Sequence, residues 1–374
     1  MSKKPDLVIR GGTVVDGTGG PMKEADVAFS DGHIAEVGVV TAAGQEEIDA
    51  RGRLVMPGFV DVHTHYDAQL FWDPYCSISS WHGITTVVIG NCGFGFAPVA
   101  PEARERAMLS MTRVEAIPLA SMQEGMPWDW ETFPEYLESV DRTPKAMNIV
   151  PYVPIGPILI SVMGLDEAKS GRMPTREEHV EMCRILEESL DAGGCGWSAQ
   201  RLPPSGPGGA QLDYDGTAMP TDVMNNETAM EFAKVLRSRN AGHMQTTMVT
   251  GDPKADQAHM EELAKVSGRP IVFNVVQATD TKPHIHRKVL SWLDRCRQEG
   301  TRVYGQGLTT DAGFAFTFVD WNLFDKDILL EKFKTIFNNA ENVGKEAYFD
   351  KMTHFDFKCL LPALLTVEDR MSMA

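Results

Sequence analysis

From Gly58 onward, short uninterrupted apolar runs alternate with stretches whose apolar residues recur every three or four positions. "GFVDVHTH" and "GITTVVIGN" are runs of the first kind, as expected for strands buried on both faces. "TREEHVEMCRILEESLDAGG" is of the second kind. Thr175 and Glu178 make a capping box, Val180, Cys183, Leu186 and Leu190 form its apolar stripe, and Gly193 ends it. The strand "GCGWSA" follows. Three more helices repeat the pattern: "NNETAMEFAKVLRSRNAG" before "HMQTTMV", "DPKADQAHMEELAKVSG" before "RPIVFNVVQ", and "HIHRKVLSWLDRCRQEG" before "TRVYGQG". A helix, a terminating glycine and a buried strand, repeated, imply a parallel sheet covered by helices. The architecture is a (β/α)8 TIM-type barrel or an open doubly wound sheet. Strands are expected near 59–64, 84–90, 147–153, 194–198, 244–249, 271–276 and 302–306. That is seven, so the barrel is expected to be incomplete.

The flanks read differently. Residues 1–57 are a small β module whose short runs are broken by Gly-Gly, Asp-Gly and Pro-Gly turns. Residues 58–323 form the barrel, cut before its eighth strand, and 324–374 are a helical, amphipathic segment of different origin.

Composition narrows the class. The chain has 374 residues, 43% hydrophobic and 23% charged, which is ordinary for a globular protein. A formal charge of −17 and a pI near 5.0 argue against nucleic acid and anionic membrane surfaces as partners. No apolar core of signal-peptide length follows the N-terminal lysines. The uncharged stretches 83–101 and 146–165 carry too many glycines and prolines for spanning helices and read as buried strands with their loops. A soluble, cytoplasmic protein is expected. Its six scattered cysteines should be reduced thiols.

The candidate chemistry begins at His63 and His65. Side chains at i and i+2 of a strand share a face, so both imidazoles should project at the C-terminal end of the first barrel strand, where barrel active sites form. With Asp67 two residues on, they offer a divalent cation two neutral nitrogens and a nearby carboxylate. The alternative is two partly solvated histidines leaving a strand. Cys92, among glycines after the second strand, is either a soft ligand for zinc or a buried small hydrophobe. His243 could reach the rim of the fifth strand or cap a helix. His284 and His286 should be solvated in a loop entering a helix, His33 should lie on the surface, and Asp215 could touch substrate or stabilise a turn. No phosphate loop or Gly-x-Ser-x-Gly elbow is present.

The β module, "VMPGFVDVHTHYD" and "GITTVVIGNCGFGFAP" together resemble the amidohydrolase superfamily, and within it the N-acyl-D-amino-acid deacylase (D-aminoacylase-like) branch. The resemblance runs from about residue 5 to 323. It implies a metal-dependent hydrolase of amide or related C–N bonds, built on a distorted barrel with a small N-terminal β-sandwich, with a small-molecule amide substrate and zinc as the divalent metal. It implies Cys92 as a ligand, and His63 and His65 as the pair lining a second, looser metal position. In that family a histidine from each of strands five and six completes the tight position, and an aspartate after strand eight is general base. Here strand five reads "MQTTM", strand six reads "IVFNVVQ" with Asn274, and strand eight is absent. Asp67 is then the carboxylate left to shuttle a proton. Residues from about 327, ending "LPALLTVEDRMSMA", resemble a fragment of asparagine synthetase-type amidotransferases. The ATP-binding loop of that family is missing, which argues against ATP-dependent amide synthesis. A catalytically inactive, truncated or fused amidohydrolase-like chain is the competing reading.

Overall fold

The structure is a computed structural model that describes residues 4–203, 212–278 and 283–308. The chain divides into two compact units, residues 1–61 with 78–86, and residues 62–77 with 87 onward. The segment from 324 on, expected to be helical, lies outside the described residues.

In the first unit, strands β1 (Leu7–Val14), β2 (Lys23–Ser30), β3 (His33–Gly38), β4 (Glu46–Asp49) and β5 (Leu54–Val55) form one five-stranded sheet. β1 is its centre: it pairs antiparallel with β2 and parallel with both β4 and β5. The β1–β2 register shifts between Ile9 and Gly12, where Gly11 takes a φ of +62° and donates its N–H to Asp26 Oδ1 at 2.8 Å. Val8, Ala28 and Val40 make the unit's small core. A second layer that would make this sheet a sandwich is not seen among the described residues. His33 is exposed, as expected. β6 (Phe59–Asp61) closes this part of the chain.

All seven strands expected of the barrel are present. β6 is the first, β7 (Ile84–Ile89) the second, and they join a three-stranded sheet in the order β6-β7-β8. Between β7 and β8 come α1 (Arg104–Glu115), α2 (Leu119–Gly125) and α3 (Phe133–Arg142), the last opened by a Thr132–Glu135 capping box. β8 (Asn148–Pro151) and β9 (Val153–Pro154) are the third expected strand in two pieces. Then follow α4 (Ile155–Met163), α5 (Leu165–Ser170), α6 (Arg176–Asp191), β10 (Gly196–Arg201), α7 (Asn226–Arg239), β11 (His243–Met248), α8 (Pro253–Ser267), β12 (Ile271–Val276), α9 (Ile285–Gln298) and β13 (Val303–Gly307). β9 to β13 form a sheet in sequence order with every pair parallel. Closure of these two sheets into one barrel is not seen among the described residues. None of the described helices is long and apolar enough to cross a membrane.

Strand alternation sorts the side chains. In β10, Trp197 is buried against Phe232 of α7, with ring centroids 6.2 Å apart. Ser198 and Gln200 face the other way, Ser198 donating to the Gly90 carbonyl and accepting from Gly93 N–H at 2.9 Å. β11 packs beside it in register, Gly196 opposite His243 and Ser198 opposite Gln245.

Two expectations need correction. The first barrel strand was expected over 59–64, but β6 stops at Asp61. Beyond it Thr64 is tied to a single carbonyl, that of Val88, by its N–H at 3.1 Å and its hydroxyl at 2.7 Å, so no ladder continues. His63 and His65 therefore stand on the segment after the strand. In α6 the Thr175–Glu178 box forms as expected, but the buried face is Met182, Leu186 and Ser189. Val180 is 63% exposed, because a face running i, i+4, i+7 from Met182 turns it toward solvent.

Two measurements follow from this packing. Gly196 has a φ of +149°, and a Cβ there would lie 1.7 Å from the His243 carbonyl oxygen. Gly196→Ala should push β10 off β11 and cost roughly 2–4 kcal/mol in urea unfolding; a loss below about 0.5 kcal/mol would show that the two strands separate freely. Asp222 is buried, its Oδ1 accepts from Leu202 N–H at 2.7 Å, and its Oδ2 has no partner. Burial lifts its pKa to about 7, whereas the unfolded chain ionises it near 4. Between those values the folded state keeps a proton that the unfolded state has lost. Stability present below pH 4 should therefore decline by on the order of 3 kcal/mol as pH rises toward 7. Asp222→Asn should remove that slope, and an unchanged pH profile in the variant would refute the assignment.

Candidate metal centre

The candidate centre starts from a backbone turn. After β7 the chain reads Gly90-Asn91-Cys92-Gly93, and Gly90, Cys92 and Gly93 all take positive φ, at 71°, 59° and 78°. Gly90 has no alternative, since a Cβ there would meet the Tyr152 carbonyl oxygen at 2.3 Å. For Cys92 the left-handed conformation costs about 1 kcal/mol or more, and the surroundings hold it. Its N–H donates to Gln245 Oε1 at 2.7 Å, and Asn91 Nδ2 donates to the carbonyls of Thr64 at 3.1 Å and Val88 at 3.0 Å. The turn thus fastens the segment bearing His65 to the end of β7.

The Cys92 side chain, 6% exposed, places Sγ 3.3 Å from His63 Nε2 and 3.6 Å from Thr247 Oγ1. Thr247 Oγ1 already accepts from Asn274 Nδ2 at 3.0 Å and from Gln245 Nε2 at 3.3 Å, so its own proton points to the sulfur. On the other side of His63, Nδ1 meets Gln306 Oε1 at 3.0 Å. With Nδ1 donating to Gln306, Nε2 keeps its lone pair toward the sulfur. Side chains from the ends of β7, β11, β12 and β13 and from the segment after β6 are linked through these bonds.

His65 completes the group. One donor atom each from His63, His65 and Cys92 lie within 4.8 Å of one another. His65 Nε2 contacts Glu115 Oε1, on the last residue of α1, at 3.3 Å, while its Nδ1 is buried with no partner. Burial, then the nearby His63, pushes the His65 pKa down to about 3. Burial, then Asp67, lifts Glu115 to about 8. Both shifts favour the neutral forms, which makes the contact a hydrogen bond. In the tautomer in which Nε2 donates to a Glu115 oxygen, Nδ1 is left with a free lone pair. Burial, then Glu115, raises the Cys92 thiol well above its usual range.

Asp67 sits beside this group and outside it. It is 2% exposed, its Oδ1 accepts from Gly90 N–H at 2.7 Å, and its Oδ2 is buried and unpartnered. Burial lifts its pKa to about 7.

Other candidates lie elsewhere. His243 opens β11, at the opposite end from Thr247, with its ring 4.9 Å from that of Tyr152. His284 is exposed just before α9, and His286 is half-buried in its first turn. Asp215 accepts from Thr217 N–H at 3.0 Å and Lys169 Nζ at 2.9 Å, the turn-stabilising role. Glu115 and Gln306 were not anticipated. Glu115 had no signal, since a helix end fifty residues from the His-x-His pair carries no spacing to it. Gln306 had one, as a polar residue on the last expected strand.

The donor set suits a divalent cation with thiol and imidazole preferences. A tetrahedral zinc ion holds its ligands about 3.4 Å apart, and three protein donors leave a fourth position open, the pattern of catalytic sites. The outer contacts of Gln306 and Glu115 are of the kind that fix a ligand histidine's tautomer. The histidines implied for strands five and six have no counterpart here: Gln245, Thr247 and Asn274 form a neutral hydrogen-bonded network in that direction.

Residues 46–169 match the sequence model of the amidohydrolase family. An uncharacterized protein of Mycobacterium tuberculosis is 37% identical over 201 residues, 52% of this chain and 32% of that protein. The N-acyl-D-aspartate deacylase of Alcaligenes xylosoxydans xylosoxydans is 33% identical over 272 residues, 72% of this chain and 48% of the enzyme. In structure, the N-acyl-D-glutamate deacylase of Bordetella bronchiseptica, complexed with zinc and a phosphonate inhibitor, superimposes with a TM-score of 0.63 at 25% identity, covering 80% of this chain and 58% of that one. The chain spans half or less of the length of these curated relatives. These matches give no support to the resemblance to asparagine synthetase-type enzymes or to the inactive alternative. The chain carries an amidohydrolase sequence pattern over 46–169 and shares a fold with the N-acyl-D-glutamate deacylase.

Proposed function

We propose that this chain belongs to the amidohydrolase family and forms at least part of a metal-dependent hydrolase of small N-acyl amino acids, acting on a C–N bond other than a peptide bond. The observation that carries the reading is the convergence of His63, His65 and Cys92, with the buried Nδ1 of His65 lacking any partner. A buried polar atom left unsatisfied costs about 1–3 kcal/mol, which a bound cation would recover. The relatives named N-acyl-D-aspartate deacylase and N-acyl-D-glutamate deacylase suggest the substrate class.

His63, His65 and Cys92 would hold the ion, and zinc suits the thiol and imidazoles best. A divalent ion so held polarises an amide carbonyl and makes a neighbouring water more acidic. The chain's residues do the rest. Gln306 and Glu115 hold the two imidazoles by their outer nitrogens, so that His63 Nε2 and His65 Nδ1 face inward. Thr247 supports the sulfur with a hydrogen bond. Asp67, fixed at Oδ1 by Gly90 and buried without a partner at Oδ2, would take a proton from the attacking water and pass it to the departing amine, as its pKa near 7 permits.

The test is hydrolysis of N-acetyl and longer N-acyl D-amino acids before and after chelation. Activity should vanish on chelation, return with Zn²⁺, and fall at least a hundredfold in kcat/KM in His65→Ala or Cys92→Ala. Hydrolysis indifferent to chelator and to both substitutions would refute the proposal. Glu115→Gln, which keeps the shape of the side chain, should weaken zinc affinity about tenfold to a hundredfold in a competitive chelator titration, and unaltered affinity would remove Glu115 from any orienting role.

A further inference from the structure

A cavity of about 390 Å³ lies between α1 and α4. None of the residues lining it is one of the three donors of the candidate centre, so it stands apart from that centre. Its two ends differ in exposure. Phe94, Met111, Met219 and Pro220 are buried at the inner end, whereas Ala100, Glu102 and Ser161 are exposed at the mouth. Val99, Ala107, Ile160 and Leu165 contribute an apolar wall. The volume is in the range of small-molecule pockets.

The charged and polar groups decide what such a site could hold. Arg106 is the one cation of the lining, and its charge is answered by Asp213, a fully buried carboxylate that also takes Lys169 Nζ at 2.7 Å and the Ser110 hydroxyl. Lys169 pairs in turn with Asp215 at 2.9 Å, so two cations face two carboxylates. Glu102, by contrast, has no ion-pair partner among the described residues. It sits in the turn Pro101–Ala103 that leads into α1, where the helix dipole favours a charged carboxylate. The Ser161 hydroxyl donates to the Ile158 carbonyl at 3.0 Å, which leaves its lone pairs for a ligand. The one uncommitted charge of the lining is therefore negative, and the free side-chain atoms at the mouth are acceptors. A carboxylate or phosphate would be repelled there. A primary ammonium brings a positive charge and three N–H donors, and an alkyl chain attached to it would leave water for the apolar wall.

We infer that this cavity is a binding site for a primary amine carrying an apolar chain, the chain lodged between α1 and α4 and the ammonium held at Glu102 and Ser161. The hydrolase reading plays no part in this assignment, and either can fail without the other.

The probe is a series of straight-chain primary amines, butylamine to octylamine, titrated calorimetrically into the full chain at neutral pH, where each is an ammonium ion. Affinity should rise about threefold to fourfold per methylene. Octanoate should bind roughly fivefold or more weakly than octylammonium, and Glu102→Gln should weaken octylammonium by about twofold to fivefold. Ala107→Phe, which fills the cavity from α1, should weaken octylammonium by roughly tenfold or more. Ala103→Phe, four residues earlier on the same wall, should do likewise, so the result does not hang on one variant. A flat amine series, octanoate binding as tightly as octylammonium, affinity unaltered in Glu102→Gln, or undiminished binding in both phenylalanine variants would overturn the assignment. Zinc-loaded and chelated samples should bind octylammonium alike, and loss of binding on chelation would overturn the separation of this site from the candidate centre.

Discussion

The candidate centre depends on one hydrogen bond, from the Cys92 N–H to the Gln245 side chain. A non-glycine residue in the left-handed region reverts to an extended conformation unless its backbone is held. Gln245 is fully buried on β11 and holds it at 2.7 Å, while Gly90 and Gly93 on either side bond to β10 through Ser198. This clamp turns the thiol inward to His63. Without it the sulfur would have no fixed relation to the imidazoles, and the convergence of three donors would be lost.

A second constraint is electrostatic. Asp67 is a buried acid and Glu115 a half-buried one that no cationic side chain pairs among the described residues, and the partner of Glu115 is an imidazole whose pKa burial lowers. Desolvation of unpaired carboxyls is expensive, and side chains placed in this way are a recurrent mark of functional sites. The neutral network of Gln245, Thr247 and Asn274 lies on the opposite side of the sulfur. The centre is thus asymmetric: titratable groups gather around His65, and fixed dipoles gather around Cys92.

Much of this was legible in the sequence because the strands of a covered parallel sheet leave uninterrupted apolar runs, although the first run is not buried on both faces as expected: Phe59 and Val60 of β6 are 57% and 54% exposed. β12 was placed at both ends, and the other strands to within a few residues. The Thr175–Glu178 box could be read because capping is local. What escaped was whatever depends on the rotation of an element or on distant chain. Val180 looked core-facing because its period fits a stripe one position removed from the true one. The His-x-His pair was assigned to a strand for its spacing, yet the pairing that would extend β6 is replaced by the single anchor of Thr64. The nearness of Glu115 to His65 joins the end of α1 to a segment fifty residues earlier, and no local pattern encodes it.

The central claim is that two imidazoles and one thiol bind a single cation together. X-ray absorption spectroscopy of the zinc-loaded chain tests it most directly, because sulfur and nitrogen scatterers are distinguished by their bond lengths. The account predicts one sulfur at about 2.3 Å and two imidazole nitrogens at about 2.0–2.1 Å. A shell of nitrogen and oxygen alone, with no sulfur, would contradict it.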